Sequence, residues 1–439
     1  MTRRNFNLML GTAANSRAQA LIDVSSIPNY CSHEHWGSID SIGRIPGGFR
    51  CDYDQGATPQ RATALFDLLI EPYLRGLLAG SGVSPDSLSF GSDWIWYNKL
   101  ERVLKPYIFS GIFQCTRRGI KALYGFDLLR LTPVQFHELS TVIERNYRQP
   151  SAWYALSMQK ARFRGLIRPV HPEFYRLQES PASAAAESRL MRTVMRIDPL
   201  VDFSIGPMER RKRMIELSGI EPTDAITWRS FISWWFDQAA KGGAVGIKQL
   251  QAYRRDLDFG PGTDNEIRWA DADPVQVRKR QDWIVHECCR QAHDRNWAHQ
   301  IHVGTHNLPN SSPLPLAQLA RRYSKMKIVM IHCWPFLDEA GTLARQLPNM
   351  YIDTCWQPIL NPTFFRKAIS EWWEYIPGHK ITCGHDATTV EMAVGSSLYT
   401  REILAEILSQ QIRASSLPVK LIREAAARVL HANAEQLYT

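Results

Sequence analysis

Asn29-Tyr-Cys-Ser-His33-Glu-His35-Trp36 is the stretch from which the rest of the chain is read. Side chains of a strand alternate faces, so residues i and i+2 share one. On a strand, His33 and His35 point together, Cys31 lies below them, and Glu34 faces the other way, toward the surrounding helices. Two imidazoles fixed side by side are half of a transition-metal site. The helical zinc pattern H-E-x-x-H fails, because residue 37 is Gly. A pair of histidines alone decides little. Its meaning depends on whether further ligand-type residues end further strands.

At 439 residues the chain exceeds the usual single-domain size, although α/β barrels with insertions run past about 400 as one unit. Its 44% hydrophobic and 22% charged residues describe an ordinary globular protein with a large core. No run approaches the roughly 20 apolar residues of a membrane-spanning helix, so no membrane is expected as a partner. The formal net charge of +9 serves solubility or attraction of anionic substrates. Nucleic acid is not expected either, since there is no Lys/Arg tract or zinc-finger spacing. A small-molecule substrate remains, with homo-oligomerisation left open.

Eight cysteines form no C-x-x-C pair, and Cys31, Cys333, Cys355 and Cys383 lie in apolar runs. That predicts buried free thiols and a reducing, cytoplasmic location. Thr2-Arg3-Arg4-Asn5-Phe6, followed by Ala18-Gln19-Ala20, supplies the alternative of a twin-arginine export signal. Against it, Asn7 breaks the apolar pattern and the run from Leu8 to Ala14 is short. Residues 1–25 are therefore read as a leader or short helix, and 26–439 as one barrel.

Residues 50–160 read as a helical insertion after the first strand. Apolar residues at helical spacing fill 64–74 and 100–111, and Thr132-Pro133 has the form of an N-cap followed by a first-turn proline. Its aromatics, among them Trp94, Trp96, Tyr97, Phe113 and Phe136, are expected to pack a helical core. The block is placed to wall or lid a site above the first strand.

Beyond it, short apolar runs alternate with helical stretches: 163–170, 191–196, 244–248, 298–303, 328–333, 350–353 and 380–384. With the first strand these make eight βα units, which predicts a (β/α)8 TIM barrel with its site at the C-terminal ends of the strands. A doubly wound sheet would want a G-x-G-x-x-G or P-loop after a strand, and none follows. The strand ends carry Lys248, His302, His332 and Asp386. Alternation puts Gln300 with His302, Met330 with His332 and Trp334, and Thr382 with Asp386, while His385 points away from the axis. Lysine is almost never buried unpaired, so Lys248 must pair, snorkel or bind something.

H-x-H on strand one, Lys on four, His on five, His on six and Asp on eight resembles the metal-dependent amidohydrolase superfamily. Tyr351-Ile-Asp-Thr354 and the C-terminal helix at 420–439 add to the likeness. The helical insertion, with Gly119-Ile-Lys-Ala-Leu-Tyr-Gly-Phe-Asp127, resembles the branch near uronate isomerases. The resemblance implies His33, His35 and Asp386 around one divalent ion, zinc in the first instance, with His302 as a further ligand. In a two-metal form, His302 and His332 hold a second ion and a carboxylated Lys248 bridges the pair. The chemistry implied is Lewis-acid activation of water, with Asp386 moving the proton and His332, where not a ligand, orienting a substrate oxygen. Lys248, if unmodified, would hold a substrate carboxylate, with Arg168, Arg196, Tyr253 and Arg254 as neighbours. Trp36, Trp334 and Trp356 are candidate pocket walls, and His306 lies nearby in sequence. The expected activity is hydrolysis of a small amide, lactone or related carbonyl compound. Sugar-acid isomerisation or decarboxylation is the alternative on the same barrel, followed by a metal-stabilised binding protein.

Overall fold

Alternating apolar runs and helical stretches become eight parallel strands in a computed structural model, which describes residues 22–36, 64–69, 72–82, 104–177 and 188–438. The strands are β1 (Asn29–Cys31), β2 (Phe163–Val170), β3 (Met191–Arg196), β4 (Ala244–Gln249), β5 (Ala298–Val303), β6 (Lys327–His332), β7 (Met350–Asp353) and β8 (Ile381–Thr382). Each pairs with its sequence neighbours in the order β1 to β8. The sheet curls until the segment after β8 meets the segment after β1, where the N–H groups of His385 and Asp386 donate to the carbonyl of His33 at 3.2 and 3.0 Å. This is the TIM-barrel arrangement, which brings all eight strand ends to one mouth. Residues 1–21 of the expected leader or short helix at 1–25, Cys51 and the aromatics Trp94, Trp96 and Tyr97 lie outside the described residues.

The first and last strands are shorter than the pattern suggested. β1 stops at Cys31, so His33 and His35 lie just past the strand, and β8 has only two residues. Asp353, fully buried at the end of β7, holds these ends. One of its carboxylate oxygens accepts N–H groups from Cys355 (2.8 Å) and Gly384 (2.9 Å). The other accepts the hydroxyls of Ser32 and Thr382. Where ladder bonds run out, one buried carboxylate supplies the acceptors that the backbone groups require.

The register sorts side chains by face. Lys248 lies opposite Gln300, and Gln300 opposite Val329, so these point into the barrel together. Ile167, Val194, Val245, Ala298, Val329 and Ile331 form an apolar cluster there, joined by Leu437 and Tyr438 from the C-terminal end. The expected C-terminal helix runs as Val419–Ala427 and Asn433–Leu437 with a π-turn between them. Met330 and Ile328 pack in the outer cluster with the surrounding helices.

Of the helical block, Leu65–Leu69, Pro72–Gly80, Gly111–Tyr124, Pro133–Tyr147 and Pro150–Ala161 are helices. The expected N-cap is present. Thr132 Oγ1 accepts from Gln135 N–H, and Gln135 returns its side-chain oxygen to Thr132 N–H. Of the helical expectation over 100–111, residues 100–103 lie outside the described residues. Lys105–Tyr107 is a 3-10 turn, and the next helix starts only after Ser110 caps Phe113 N–H. Helix Gly111–Tyr124 lies against Val390–Ser415, the helix that follows β8. A Cβ on Gly119 would strike the carbonyl of Glu391, and one on Gly395 the carbonyl of Cys115. These glycines set how near the block sits to the barrel. Glu391 beside them is buried and accepts the hydroxyls of Tyr124 (2.6 Å) and Tyr147 (2.7 Å).

Gly395→Ala is expected to destabilise the fold by about 2–3 kcal/mol, the upper range for overpacking, because backbone rather than a movable side chain meets the new methyl. Urea unfolding checks this; an unchanged midpoint would contradict the close approach.

Candidate metal centre

His33 and His35 come together as the H-x-H pattern predicts, with ring centroids 5.0 Å apart. His33 is fixed from behind. Its Nδ1 lies 2.7 Å from Gln300 Oε1, and Gln300 Nε2 donates to the carbonyl of Ser32 and to the hydroxyl of Tyr438. An amide acceptor makes Nδ1 the protonated nitrogen and leaves Nε2 with its lone pair forward, the orientation a metal-binding histidine takes. His33 Nε2 is buried and makes no hydrogen bond.

That nitrogen faces Asp386, at the end of the segment after β8. Asp386 Oδ1 is 2.9 Å from His35 Nε2 and 3.7 Å from His33 Nε2; Oδ2 is 3.4 Å from His332 Nε2. Burial holds the His33 imidazole well below its usual pKa and brings that of His332 down to about 3, so both are neutral at pH 7. Burial works against an ionised Asp386, but the crowding imidazoles outweigh it and keep the carboxyl well below the usual range. An anion beside the neutral nitrogen donors of His33 and His332 is a cation site in its charge and its ligand chemistry. Ligand atoms of His33, His35 and Asp386 lie within 4.8 Å of one another, as do those of His332, Cys355 and Asp386.

His332 corrects the face assignment from alternation. Met330 packs outward, whereas His332 turns inward because its backbone is left-handed, with φ of 72°. Thr305, Cys333, Trp356 and Asp386 also have positive φ, and all lie at or just past the ends of β5 to β8. Such backbone is costly for residues other than glycine, and it gathers where side chains must be aimed. Glu34 needs correcting too. It is fully buried, and its Oε1 accepts the N–H of Ala387 at 2.7 Å and of His35 at 3.0 Å. It ties the H-x-H segment to the Asp386 segment instead of facing the helices.

His302 reaches the mouth but stands outside both ligand groups. Its ring is 4.4 Å from that of His332, and its Nε2 lies 2.8 Å from Thr305 Oγ1. Lys248 is 2% exposed, and among the described residues no carboxylate comes within ion-pair distance of its ammonium. Burial brings its pKa down to about 8. Arg196 is its register neighbour on β3, and Arg196 Nη1 lies 3.3 Å from His171 Nε2. Lys248 and Arg196 thus form a buried cationic pair at the ends of β3 and β4, with His171 accepting from Arg196 at the end of β2 and Asp198 3.4 Å from Arg196 as an acidic neighbour. Arg168 does not join the pair. It lies in register with Thr193, one residue out of phase, with its guanidinium 5.3 Å over the ring of Phe174.

Of the residues expected near substrate, Tyr253 and Trp356 reach the mouth, with ring centroids 4.4 Å from His302 and 5.0 Å from His332 respectively. His306 stacks between them, 5.0 Å from Tyr253 and 5.6 Å from Trp356. Trp334 is half-buried and contributes its carbonyl, which accepts the N–H of Thr305. The structure does not bring in Arg254 or Trp36. Arg254 is drawn outward to Asp202 at 3.0 Å, and Trp36 is fully buried against Tyr154 and Phe163. His385 points away from the axis as expected, between Ser396 and Asn29. Tyr73, from the helical block, has no signal in the sequence that marks it. Its hydroxyl donates to the carbonyl of Asp386 at 2.7 Å, and its ring lies 4.8 Å from Trp356. The block thus roofs the site.

Known proteins share this architecture. Uronate isomerase of Thermotoga maritima superposes with a TM-score of 0.71 at 15% identity, covering 95% of each chain. Glucuronate isomerase of Caulobacter crescentus gives 0.69 at 16% identity, over 94% of this chain and 91% of that one. A protein of Lactobacillus casei, put forward as a metal-dependent hydrolase, gives 0.63 at 17% identity, over 95% and 98%. At such identities the likeness is one of fold. In sequence, protein fluG of Emericella nidulans is 24% identical over 237 residues, 48% of this chain and only 27% of that protein, so the chain spans about a quarter of that relative. A family model described as amidohydrolase matches residues 237–439. That stretch carries Lys248, His302, His332 and Asp386, and over it the chain is similar to the amidohydrolase family.

Proposed function

We propose that the chain is a metal-dependent hydrolase acting on a small amide, lactone or related carbonyl compound that carries a carboxylate. The observation that carries this reading is the ionised Asp386 beside the neutral imidazoles of His33 and His332, with His33 Nε2 buried and without a hydrogen bond. His33, His35 and Asp386 would hold one divalent ion, and the nitrogen and oxygen donor set suits zinc. Bound there, the ion would supply Lewis-acid activation of a water.

The rest falls to the chain's own groups. Asp386 accepts the proton of the attacking water and passes it to the leaving group, a role for which its depressed pKa leaves it ionised at neutral pH. His332, neutral and donating its Nδ1–H to Cys355 O at 3.1 Å, keeps Nε2 as an acceptor that, where it does not ligate an ion, orients a substrate hydroxyl or the attacking water. Lys248 and Arg196 receive the carboxylate, which would replace the missing counter-charge of Lys248. Tyr253, His306, Trp356 and Tyr73 exclude water from the mouth. Isomerisation of a uronate is the second reading. Full-length fold likeness to two uronate isomerases supports it, and the same cationic pair would bind a uronate carboxylate.

Turnover measured on panels of amides, lactones and uronates separates the two. Hydrolysis predicts acid release from the first two classes that stops on chelation and falls by at least about a hundredfold in Asp386→Asn. Ketose formation from uronates, without acid release from the other panels, would replace it with the isomerase. Lys248→Met is expected to keep its metal and to raise KM for carboxylated substrates by about tenfold or more, with little change for uncharged ones. Loss of metal from that variant would point instead to a carboxylated Lys248 that bridges two ions.

A further inference from the structure

Asp386 is forked between two sets of imidazoles. Its Oδ1 faces His33 and His35, and its Oδ2 faces His332 on the other side. Beyond His332 stands the thiol of Cys355, its Sγ 3.3 Å from His332 Nδ1; since Nδ1 donates to the Cys355 carbonyl, Nε2 is the nitrogen left for an ion. We propose that His332, Cys355 and Asp386 form a second metal subsite that contains a thiolate, with Asp386 bridging to the ion at His33 and His35. This rests on the metal-binding reading of the first site.

Three observations carry it. One ligand atom from each of the three residues lies within 4.8 Å of the others, and all three residues are buried. Among the described residues, the side-chain partners of the Asp386 carboxylate are imidazole nitrogens, and no hydroxyl or amide takes its lone pairs. The chain also makes room for the sulfur. A Cβ on Gly384 would lie 2.7 Å from Cys355 Cβ. The surroundings include Val329, Ile331 and Ala298, and burial keeps the empty thiol protonated.

The chemistry balances without a redox step. A divalent ion displaces the thiol proton, the sulfur lone pair forms the metal–sulfur bond, and the proton leaves to solvent. Thiolate with imidazole selects zinc, cobalt or cadmium over magnesium or calcium. A sulfur ligand would therefore make the second position selective for softer ions than the first.

Cobalt(II) titrated into the metal-stripped full chain, followed by absorption, tests this. The expected result is visible d–d bands with the first equivalent, then a thiolate-to-cobalt charge-transfer band in the near-ultraviolet with the second. Cys355→Ser should keep the visible bands, lose the near-ultraviolet band and bind one equivalent in place of two. Cys355→Ala, checked by circular dichroism for a native fold, guards against misfolding of the first variant. Visible bands with no near-ultraviolet band in the unmodified chain would overturn the subsite and leave the first site standing. A near-ultraviolet band that persists in both variants would assign the sulfur elsewhere and overturn it too. Neither band would overturn this subsite and the first metal site together.

Discussion

An ionised carboxylate held at 5% exposure at the mouth of a barrel is the constraint on which the rest depends. A buried charge costs several kcal/mol unless partners compensate it, and of the three imidazoles facing Asp386 those of His33 and His332 are neutral and bring ligand nitrogens but no counter-charge. Those imidazoles have to stay in place, and much of the surrounding structure places them. Gln300 and Tyr438 set the ring of His33. Glu34 binds the Asp386 segment to the His35 segment, and Asp353 gathers the ends of β1, β7 and β8. Left-handed backbone at His332 and Asp386 is tolerated because these bonds over-determine it.

The helical block belongs to the same arrangement. Close contact of Gly119 and Gly395 with facing backbone lets helix Gly111–Tyr124 lie directly on the helix that follows β8. The neighbouring helix Pro72–Gly80 then carries Tyr73 over the carbonyl of Asp386. The result is a site with a donor-lined floor, a cationic pair on the side of β3 and β4, and an aromatic roof.

The barrel was legible because period-two and helical spacings alternate through the second half of the chain, and the candidate ligand residues end the apolar runs. His33, His35, Lys248 and Asp386 could be placed from that pattern. The limits were local. Alternation put His332 with Met330, but a single left-handed residue reverses the face, and nothing in Met330-Ile-His-Cys333 announces φ of 72°. Arg254 and Trp36 were placed by nearness in sequence to site residues. One goes to a carboxylate at the surface and the other to the core, choices made by tertiary partners. Tyr73 could not be found at all, since a tyrosine in an amphipathic helix reads as packing. Cys355 was legible as a buried thiol, and only its distance from His332 gives it a second meaning.

Zinc titrated into the metal-stripped chain and into His33→Ala, with a competing chelator, tests the central claim most directly. The unmodified chain should take up zinc, and the variant should lose at least about a hundredfold in affinity, since a ligand matters more than the outer partners that cost 10–100-fold. Equal affinity in the two proteins would contradict a metal held at the imidazole–carboxylate cluster.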